Sequence, residues 1–308
     1  MRKRLLGIGE CMVELFPESP GLWRQGFAGD VFNTLWYARA CASTADSVEF
    51  HTGLGKDAIS AEFENFLVGH GIELGNSPRF DERTLGLYSI QLNNGERSFS
   101  YWRDASAARW LAADRETLAR RVGEANIVYL SGITLAILSP DHLDVLHQVL
   151  SEARNACEEL VIAFDPNIRP KLWSSAEHMR ASIERIAAIA HVVLPGVEDE
   201  ALCFGNGTAT EVAKRYLELG SNLVVVKEGG QRVLVRGEED LDFTFESIEQ
   251  PVDTTGAGDA FAGAFLAGLL NDAGIEASIR RAHDCASSVI MTQGALCAHE
   301  KLPASAKC

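Results

Sequence analysis

Short, continuous apolar runs recur along the chain, and each ends in glycine or aspartate. Runs of this kind are typical of strands that are buried on both faces of a parallel sheet. They predict strands at residues 5–9, 127–132, 160–165, 191–196 and 223–229. Between the runs, apolar positions recur with the spacing of a helix face. These segments predict helices at residues 140–156, 175–190 and 210–219, followed by two alanine-rich helices at 257–270 and 275–293. The alternation indicates an α/β fold, in which a mostly parallel central sheet carries helices on both faces.

One segment has a different period. Residues 87–103 alternate polar and apolar positions around Asn94-Gly95, a pair typical of a tight hairpin turn. This turn would place Tyr88 opposite Tyr101, with Arg103 on the same face as Tyr101. An aromatic face of this kind must cover the core, a partner subunit or a ligand, and core packing does not explain the arginine. No repeat or linker divides the chain, so we expect one domain over residues 1–308 with the hairpin as an insertion.

Composition narrows the class of protein. The 308 residues are 46% hydrophobic and 23% charged, which is ordinary for a soluble globular protein. A net charge of −15 argues against a nucleic-acid-coating function or a polybasic membrane contact. The seven cysteines are scattered and never spaced as CxxC, so we assign no metal ligands and expect no disulfide framework. The basic opening is soon broken by glycines and an acid, without a signal-peptide cleavage site, and we expect a cytoplasmic protein.

The strongest candidate for an anion-binding or catalytic site is the glycine turn that leads into the helix at 257–270. Free backbone N–H groups at a helix start, flanked by glycines, form a site for phosphate or for developing negative charge. Asp259 lies in the first turn of this helix and could remove a proton from a hydroxyl aimed at that site. An acid here could instead only complement the helix dipole, worth about 0.3–1 kcal/mol. That alternative leaves Gly256, Gly258 and the preceding threonines unexplained.

The segment DTTGAGDAFAGAF at 253–265 closely resembles the C-terminal signature of the ribokinase-like (PfkB) carbohydrate kinases. A second signature of that family is similar to residues 29–33, with alanine in place of its first glycine. Within the family, the blocks GECMVEL, GERSFSYWRDASAA, YLSGITLAILSP and FDPNIRPKLW look like the branch that phosphorylates 2-keto-3-deoxygluconate. The resemblance extends from about residue 7 to residue 268. It implies a ribokinase-like fold whose small β lid is formed by about residues 11–30 and 83–106.

The resemblance also implies an activity: ATP-dependent phosphorylation of 2-keto-3-deoxygluconate to its 6-phosphate. Asp259 would be the general base, and the backbone of Gly256, Ala257 and Gly258 the anion hole. A buried carboxylate on the substrate is best bound by guanidinium groups. The implied contacts to the acid end are Tyr88, Tyr101, Arg103 and Arg169, with Gly29, Asp30 and Asn33 near the hydroxyls.

For the nucleotide, the resemblance implies contacts from Asn167, Lys227, Gly229, Gly256, Gly258 and His283. The metal-associated NxxE element of the family is altered, because Gly196 or Val197 replaces its asparagine while residues 198–200 keep the acids. Mg²⁺ would then be held mainly by phosphates and water. A monovalent-cation requirement stays open. We further expect a homo-oligomer, with the lid as a candidate interface.

Two other interpretations remain. A kinase for a neutral sugar such as fructose or ribose would use the same turn and base, although Arg103 and Arg169 argue against it. A sugar-binding regulator without catalysis could share the fold, although the retained Asp259 argues against that.

Overall fold

A computed structural model of the chain describes residues 2–19, 21–93 and 96–307, without the side chains of residues 92, 93, 96 and 97. The strands are β1 Arg4–Ile8, β2 Met12–Ser19, β3 Leu22–Ala28, β4 Ser47–His51, β5 Leu54–Gly55, β6 Ile72–Glu73, β7 Arg79–Phe80, β8 Gly86–Asn93, β9 Glu96–Trp102, β10 Ile127–Ser131, β11 Val161–Asp165, β12 Val192–Val193, β13 Leu223–Glu228, β14 Arg232–Gly237 and β15 Leu241–Thr244. The helices are α1 Asp30–Cys41, α2 Ala58–Gly69, α3 Arg115–Gly123, α4 Gly132–Ile137, α5 Pro140–Ala156, α6 Ala176–Ala187, α7 Val197–Phe204, α8 Ala209–Leu219, α9 Ala257–Leu270 and α10 Ile275–Val289.

The central sheet has nine strands in the order β15-β14-β13-β12-β11-β10-β1-β4-β6. The seven strands from β13 to β6 pair in parallel, while β14 and β15 add an antiparallel edge. All five strands predicted from apolar runs lie side by side in the parallel part. The predicted α/β fold with a mostly parallel sheet is therefore confirmed.

Two hydrophobic clusters cover the two faces of this sheet. In β1, Leu5 belongs to one cluster and Leu6 to the other, and both side chains are fully buried. Helices α1, α9 and α10 contribute to the first cluster, and α5, α6 and α8 to the second. Burial on both faces is the reason that the strands have continuous apolar sequences instead of alternating ones.

Capping residues explain where the predicted helices begin. Ser139 and Ser175 accept hydrogen bonds from backbone amides in the first turns of α5 and α6, and Thr208 forms a capping box with Glu211 at α8. Two predicted elements are shorter than expected. Strand β12 ends at Val193, since Pro195 has no amide hydrogen for the ladder. Helix α10 ends at Val289 instead of residue 293. The chain then turns, and the backbone amide of Gly294 donates a hydrogen bond to the Asp253 carboxylate at 2.7 Å.

A second, four-stranded sheet has the order β3-β2-β8-β9 and is connected to the carboxyl end of β1. Its β8–β9 hairpin confirms the predicted register, in which Tyr88 faces Tyr101. The predicted turn residues, Asn94 and Gly95, lie outside the described residues. We call this unit the small sheet. Its strands coincide with the segments predicted as a lid, and its action as a lid stays a prediction.

Within the described ranges, no helix combines the length and the apolar character that a membrane crossing requires. The described cysteines are all free thiols.

Candidate active site

Two adjoining cavities open at the carboxyl edge of the parallel strands, where open α/β sheets bind ligands. We call the first, of about 440 Å³, the hairpin cavity, because β8 and β9 form one wall. We call the second, of about 650 Å³, the helix cavity, because α9 and α10 line it. The two share the residues Asp199, Lys227, Thr254 and Gly258, so they meet at a common wall.

The start of α9 forms part of this common wall. Gly256 caps the helix in the left-handed conformation, with φ of 78°. A Cβ atom at this position would lie 2.6 Å from the carbonyl oxygen of Ala295, so the turn requires glycine. The amide of Ala257 donates to the carbonyl of Thr254 at 3.2 Å. Of the three amides predicted for the anion hole, this one therefore already has an acceptor.

Asp259 lies in the first turn of α9 and lines the hairpin cavity. Asn33 of α1 donates a hydrogen bond from its Nδ2 to the Asp259 Oδ2 at 2.8 Å. Burial, together with the nearby Asp30 carboxylate, raises the pKa of Asp259 to about 7. A carboxyl group with such a pKa can accept a proton near neutral pH, which a general base requires.

A chain of hydrogen bonds connects α1 with β11 and β13. Asn167, at φ of 33°, donates from Nδ2 to the Asp30 carboxylate at 2.7 Å and from its backbone amide to Asp165 at 3.0 Å. The other Asp165 oxygen pairs with Lys227 Nζ at 2.7 Å. This chain holds the ammonium group of Lys227 at the wall between the two cavities.

Arg103 lines the hairpin cavity and is only 8% exposed. Its Nη2 donates to the carboxylate of Glu10, which is 2% exposed and lies two residues after the end of β1. Ser106 donates to the other Glu10 oxygen at 2.5 Å. The Nε atom of Arg103 is buried and has no hydrogen-bond partner.

The aromatic face predicted for the hairpin is turned toward the same cavity. The rings of Tyr88 and Tyr101 lie 5.8 Å apart, and Phe99 is 6.2 Å from each. Tyr88 donates its hydroxyl proton to the carboxylate of Glu14. Burial raises the pKa of Tyr101, against the opposing charges of two nearby arginines.

Arg169 follows β11 and also lines the hairpin cavity, where its guanidinium forms an ion pair with Asp199 of α7 at 3.0 Å. The pair is partly exposed, so solvent screens it and either partner can exchange it for a ligand at low cost.

The helix cavity has a more apolar end and a charged end. His283 of α10 lines the apolar end and stacks on Phe245 with ring centroids 3.7 Å apart. Burial lowers the pKa of His283, which favours the neutral imidazole. Gly229 and the carboxylates of Glu198 and Asp199 line the charged end.

Glu200, the third acid of the altered metal-associated element, does not line the cavity with Glu198 and Asp199. Glu200 is buried and accepts hydrogen bonds from Tyr216 at 2.6 Å and Arg215 at 2.8 Å. Burial raises its pKa to about 7. Glu200 lines neither cavity and serves the packing of α7 against α8.

Most of the residues predicted from the sequence come together. The hairpin cavity contains Gly29, Asp30, Asn33, Tyr88, Tyr101, Arg103, Arg169, Gly256, Gly258 and Asp259. The helix cavity contains Lys227, Gly229, Ala257, Gly258 and His283. Asn167, predicted for the nucleotide, lines the hairpin cavity instead. The structure places these residues, while their individual roles stay predictions.

Sequence reasoning missed Glu10, Asp165 and Thr254 as cavity residues. Glu10 and Asp165 did carry a signal, since each is an acid at the end of a buried apolar run. Thr254 belongs to the glycine-turn segment, but its sequence gave no indication that it would contact both cavities.

Comparison with known proteins agrees with this geometry. Residues 3–301 match the family described as pfkB family carbohydrate kinase. The chain is 36% identical over 310 residues to 2-dehydro-3-deoxygluconokinase of Dickeya dadantii, covering 98% of this chain and 99% of that protein. It is 34% identical over 312 residues to the enzyme of the same name from Escherichia coli K12, covering 99% and 100% respectively.

A solved structure gives the same fold at lower identity. Fructokinase with bound ATP from Xylella fastidiosa superposes with a TM-score of 0.80 at 21% identity, covering 98% of this chain and 96% of that one. At this identity the likeness supports the fold alone, so the choice of sugar has to be argued from the cavity.

Proposed function

The chain belongs to the pfkB family of carbohydrate kinases, and from this premise we propose that it transfers a phosphoryl group from ATP to the terminal hydroxyl of 2-keto-3-deoxygluconate. The product is the 6-phosphate. The observation that carries the proposal is the presence of two guanidinium groups, Arg103 and Arg169, in the same cavity as Asp259. The names of relatives that match almost the whole chain support it.

The two guanidinium groups of the hairpin cavity favour a substrate with one anionic end. Arg103 follows β9 of the small sheet, and Arg169 lies in the loop after β11. The polar groups of the other side come from the first turns of α1 and α9; they are Asp30, Asn33 and Asp259. Guanidinium groups bind carboxylates through charge-assisted hydrogen bonds, and carboxylate or amide groups bind hydroxyls. A linear keto acid with hydroxyls at its far end satisfies both groups of residues.

In the proposed reaction Asp259 accepts the proton of the terminal hydroxyl as the oxygen attacks the γ-phosphorus, and ADP leaves. Amides at the start of α9 stabilise the charge that develops on the transferring group. Since Ala257 already donates to Thr254, we assign this stabilisation chiefly to the amides of Gly256 and Gly258, with Ala257 joining if the turn opens. Asn33 keeps the Asp259 carboxylate oriented.

The helix cavity is proposed to bind ATP, with the adenine near His283 and the phosphates toward Gly229 and Lys227. Lys227 is suited to phosphate because its ammonium reaches the wall that both cavities share. Shape and charge thus order the nucleotide along the cavity, and the γ-phosphate would point toward Asp259.

The donor set fits Mg²⁺. Glu198 and Asp199 supply carboxylate oxygens, the ligands that this ion prefers. We propose that phosphates and water supply most of the other ligands of the ion. When bound, the ion would neutralise phosphate charge.

A panel of acceptors tests the proposal: 2-keto-3-deoxygluconate, fructose, ribose and gluconate, each with Mg-ATP and purified protein. We expect the highest kcat/KM with the keto acid and a product phosphorylated at its terminal hydroxyl, identified by NMR. A higher kcat/KM with fructose or ribose would favour the neutral-sugar alternative, and no turnover with any acceptor would favour a binding regulator.

A further inference from the structure

Glu10 is a carboxylate buried in a cavity that we propose to bind another carboxylate. Burying a charged group is costly unless partners compensate it, so the position of Glu10 requires an explanation. Its Oε2 accepts from Arg103 Nη2, and its Oε1 accepts from the Ser106 hydroxyl at 2.5 Å. Both oxygens of Glu10 are therefore engaged with residues at the end of the hairpin.

The pairing uses only part of the guanidinium of Arg103. This group has five N–H donors in one plane, and its Nε–H is buried without a partner. That atom is out of reach of a ligand, and it does not compete for Glu10. The side chain of Arg103 lines the hairpin cavity and Glu10 engages only its Nη2, so the remaining donors of the terminal nitrogens are available to a ligand there.

The surroundings leave the pair little freedom to move. A Cβ atom at Gly86 would lie 3.1 Å from Glu10 Oε1, 3.3 Å from Arg103 Cβ and 2.9 Å from Met12 Cγ. The cavity also contains other carboxylates, Asp30 and Asp259 among them, that would attract a freely moving guanidinium. An arginine drawn to Asp259 would neutralise the proposed base.

We propose that Glu10, supported by Ser106, is a positioning residue that holds Arg103 with its remaining donors toward the carboxylate of the acceptor. The inference rests on the proposed acid-sugar kinase function and adds a specificity device to it. Glu10 fixes the guanidinium before the substrate arrives and keeps it away from Asp259. Preorganisation of this kind lowers the free-energy cost of binding.

The test is a double-mutant cycle on Glu10→Gln and Arg103→Ala, with Ser106→Ala as a milder third variant. A glutamine has the shape of glutamate but no charge, so it loses the ion pair with Arg103 even where its amide group can donate to the Ser106 hydroxyl. We expect Glu10→Gln to raise KM for 2-keto-3-deoxygluconate about 10-fold or more, by analogy with the loss that follows when the partner orienting a metal ligand is removed. We expect kcat and the KM for ATP to change less than about threefold.

The double variant should match Arg103→Ala alone, because Glu10 acts through Arg103. Ser106→Ala should raise the same KM by a smaller factor. Independent, multiplying losses in the double variant, or an equal rise in the KM for ATP, would overturn the proposal. Should Glu10→Gln not fold, Ser106→Ala decides, since an unchanged KM in that variant contradicts the positioning role.

Glu49→Gln is the matched control. Glu49 also pairs with a buried arginine, Arg121, at 3.2 Å, and neither residue lines the hairpin cavity or the helix cavity. This change should lower the melting temperature without raising KM for the acceptor. The acceptor panel on the unchanged protein separates the two proposals: if a neutral sugar is preferred there, the acid-sugar function fails. If the keto acid is preferred but the cycle shows independent losses, only the positioning role fails.

Discussion

At the scale of single residues, the cavity depends on a few carboxyl groups whose surroundings differ. Asp259 has a raised pKa because it is buried near Asp30, with Asp165 also contributing and Lys227 opposing. The sequence made Asp259 the leading candidate for a base, since it stands in the first turn behind a glycine pair. Its partner Asn33 lies 226 positions away, so no local pattern could reveal their hydrogen bond.

The first prediction concerns catalysis. Asp259→Asn should lower kcat by about 10²–10⁴-fold, the usual contribution of a positioned base. The KM values should change little, because the amide still accepts a hydrogen bond from Asn33. Steady-state kinetics with the preferred acceptor, with circular dichroism to verify folding, measures this; an unchanged kcat would remove Asp259 from the mechanism.

The second prediction concerns stability and pH. An aspartate has a pKa near 3.9 in an unfolded chain and about 7 here, so between these values the folded state binds more protons and stability falls as pH rises. Asp259→Asn should therefore raise the melting temperature more at about pH 8 than at about pH 5, where roughly a third of the destabilisation is already present. An equal gain at both pH values would mean that the carboxyl group is not the cause.

At the scale of elements, the turn before α9 combines geometry and chemistry. The sequence was sufficient to locate α9, because the helical spacing of its apolar residues and the glycine turn before it indicate the same starting point. It could also set the β8–β9 register, since the alternation of side chains is local. No local pattern could show the parallel pairing of β2 with β8, which joins segments more than 70 residues apart, and only the family resemblance brought the two segments together. The pairing of Arg103 with Glu10 was missed for the same reason.

The third prediction tests that turn. Gly256→Ala forces a Cβ into a left-handed position against Ala295, which should cost about 1–3 kcal/mol of unfolding free energy. It should also lower kcat, because the amides of the anion hole shift. Urea unfolding and kinetics measure both effects. Gly123→Ala is the matched control, since a Cβ there meets nothing within 4 Å; equal losses in the two variants would contradict the assignment.

At the scale of the whole molecule, the small sheet presents apolar side chains to solvent. Trp23 and Trp102 are 45% and 60% exposed, and the strand register places them on the same face of the small sheet. Trp102 lies on the face opposite Tyr101, since neighbouring residues of a strand point to opposite sides. Composition alone could not locate this surface, because it depends on which side of the hairpin turns toward the cavity.

The fourth prediction is that a second copy of the chain covers this surface. Light scattering after size-exclusion chromatography should give a mass of at least two chains, and Trp102→Glu should shift the population toward single chains. Val68→Glu changes another exposed apolar residue, outside the small sheet, and should leave the mass unchanged. A single-chain mass for the unchanged protein would exclude this assembly.

The ion pair between Lys227 and Asp165 lies at the common wall of the hairpin cavity and the helix cavity. A polyphosphate in the helix cavity that attracts the Lys227 ammonium would weaken the ion pair of Lys227 with Asp165. Asp165 in turn accepts a hydrogen bond from the backbone amide of Asn167, which lines the hairpin cavity. If the two cavities bind their ligands as proposed, occupancy of either should therefore alter the affinity of the other, and thermodynamic linkage requires that the two influences be equal in size. The two cavities would then not be independent sites.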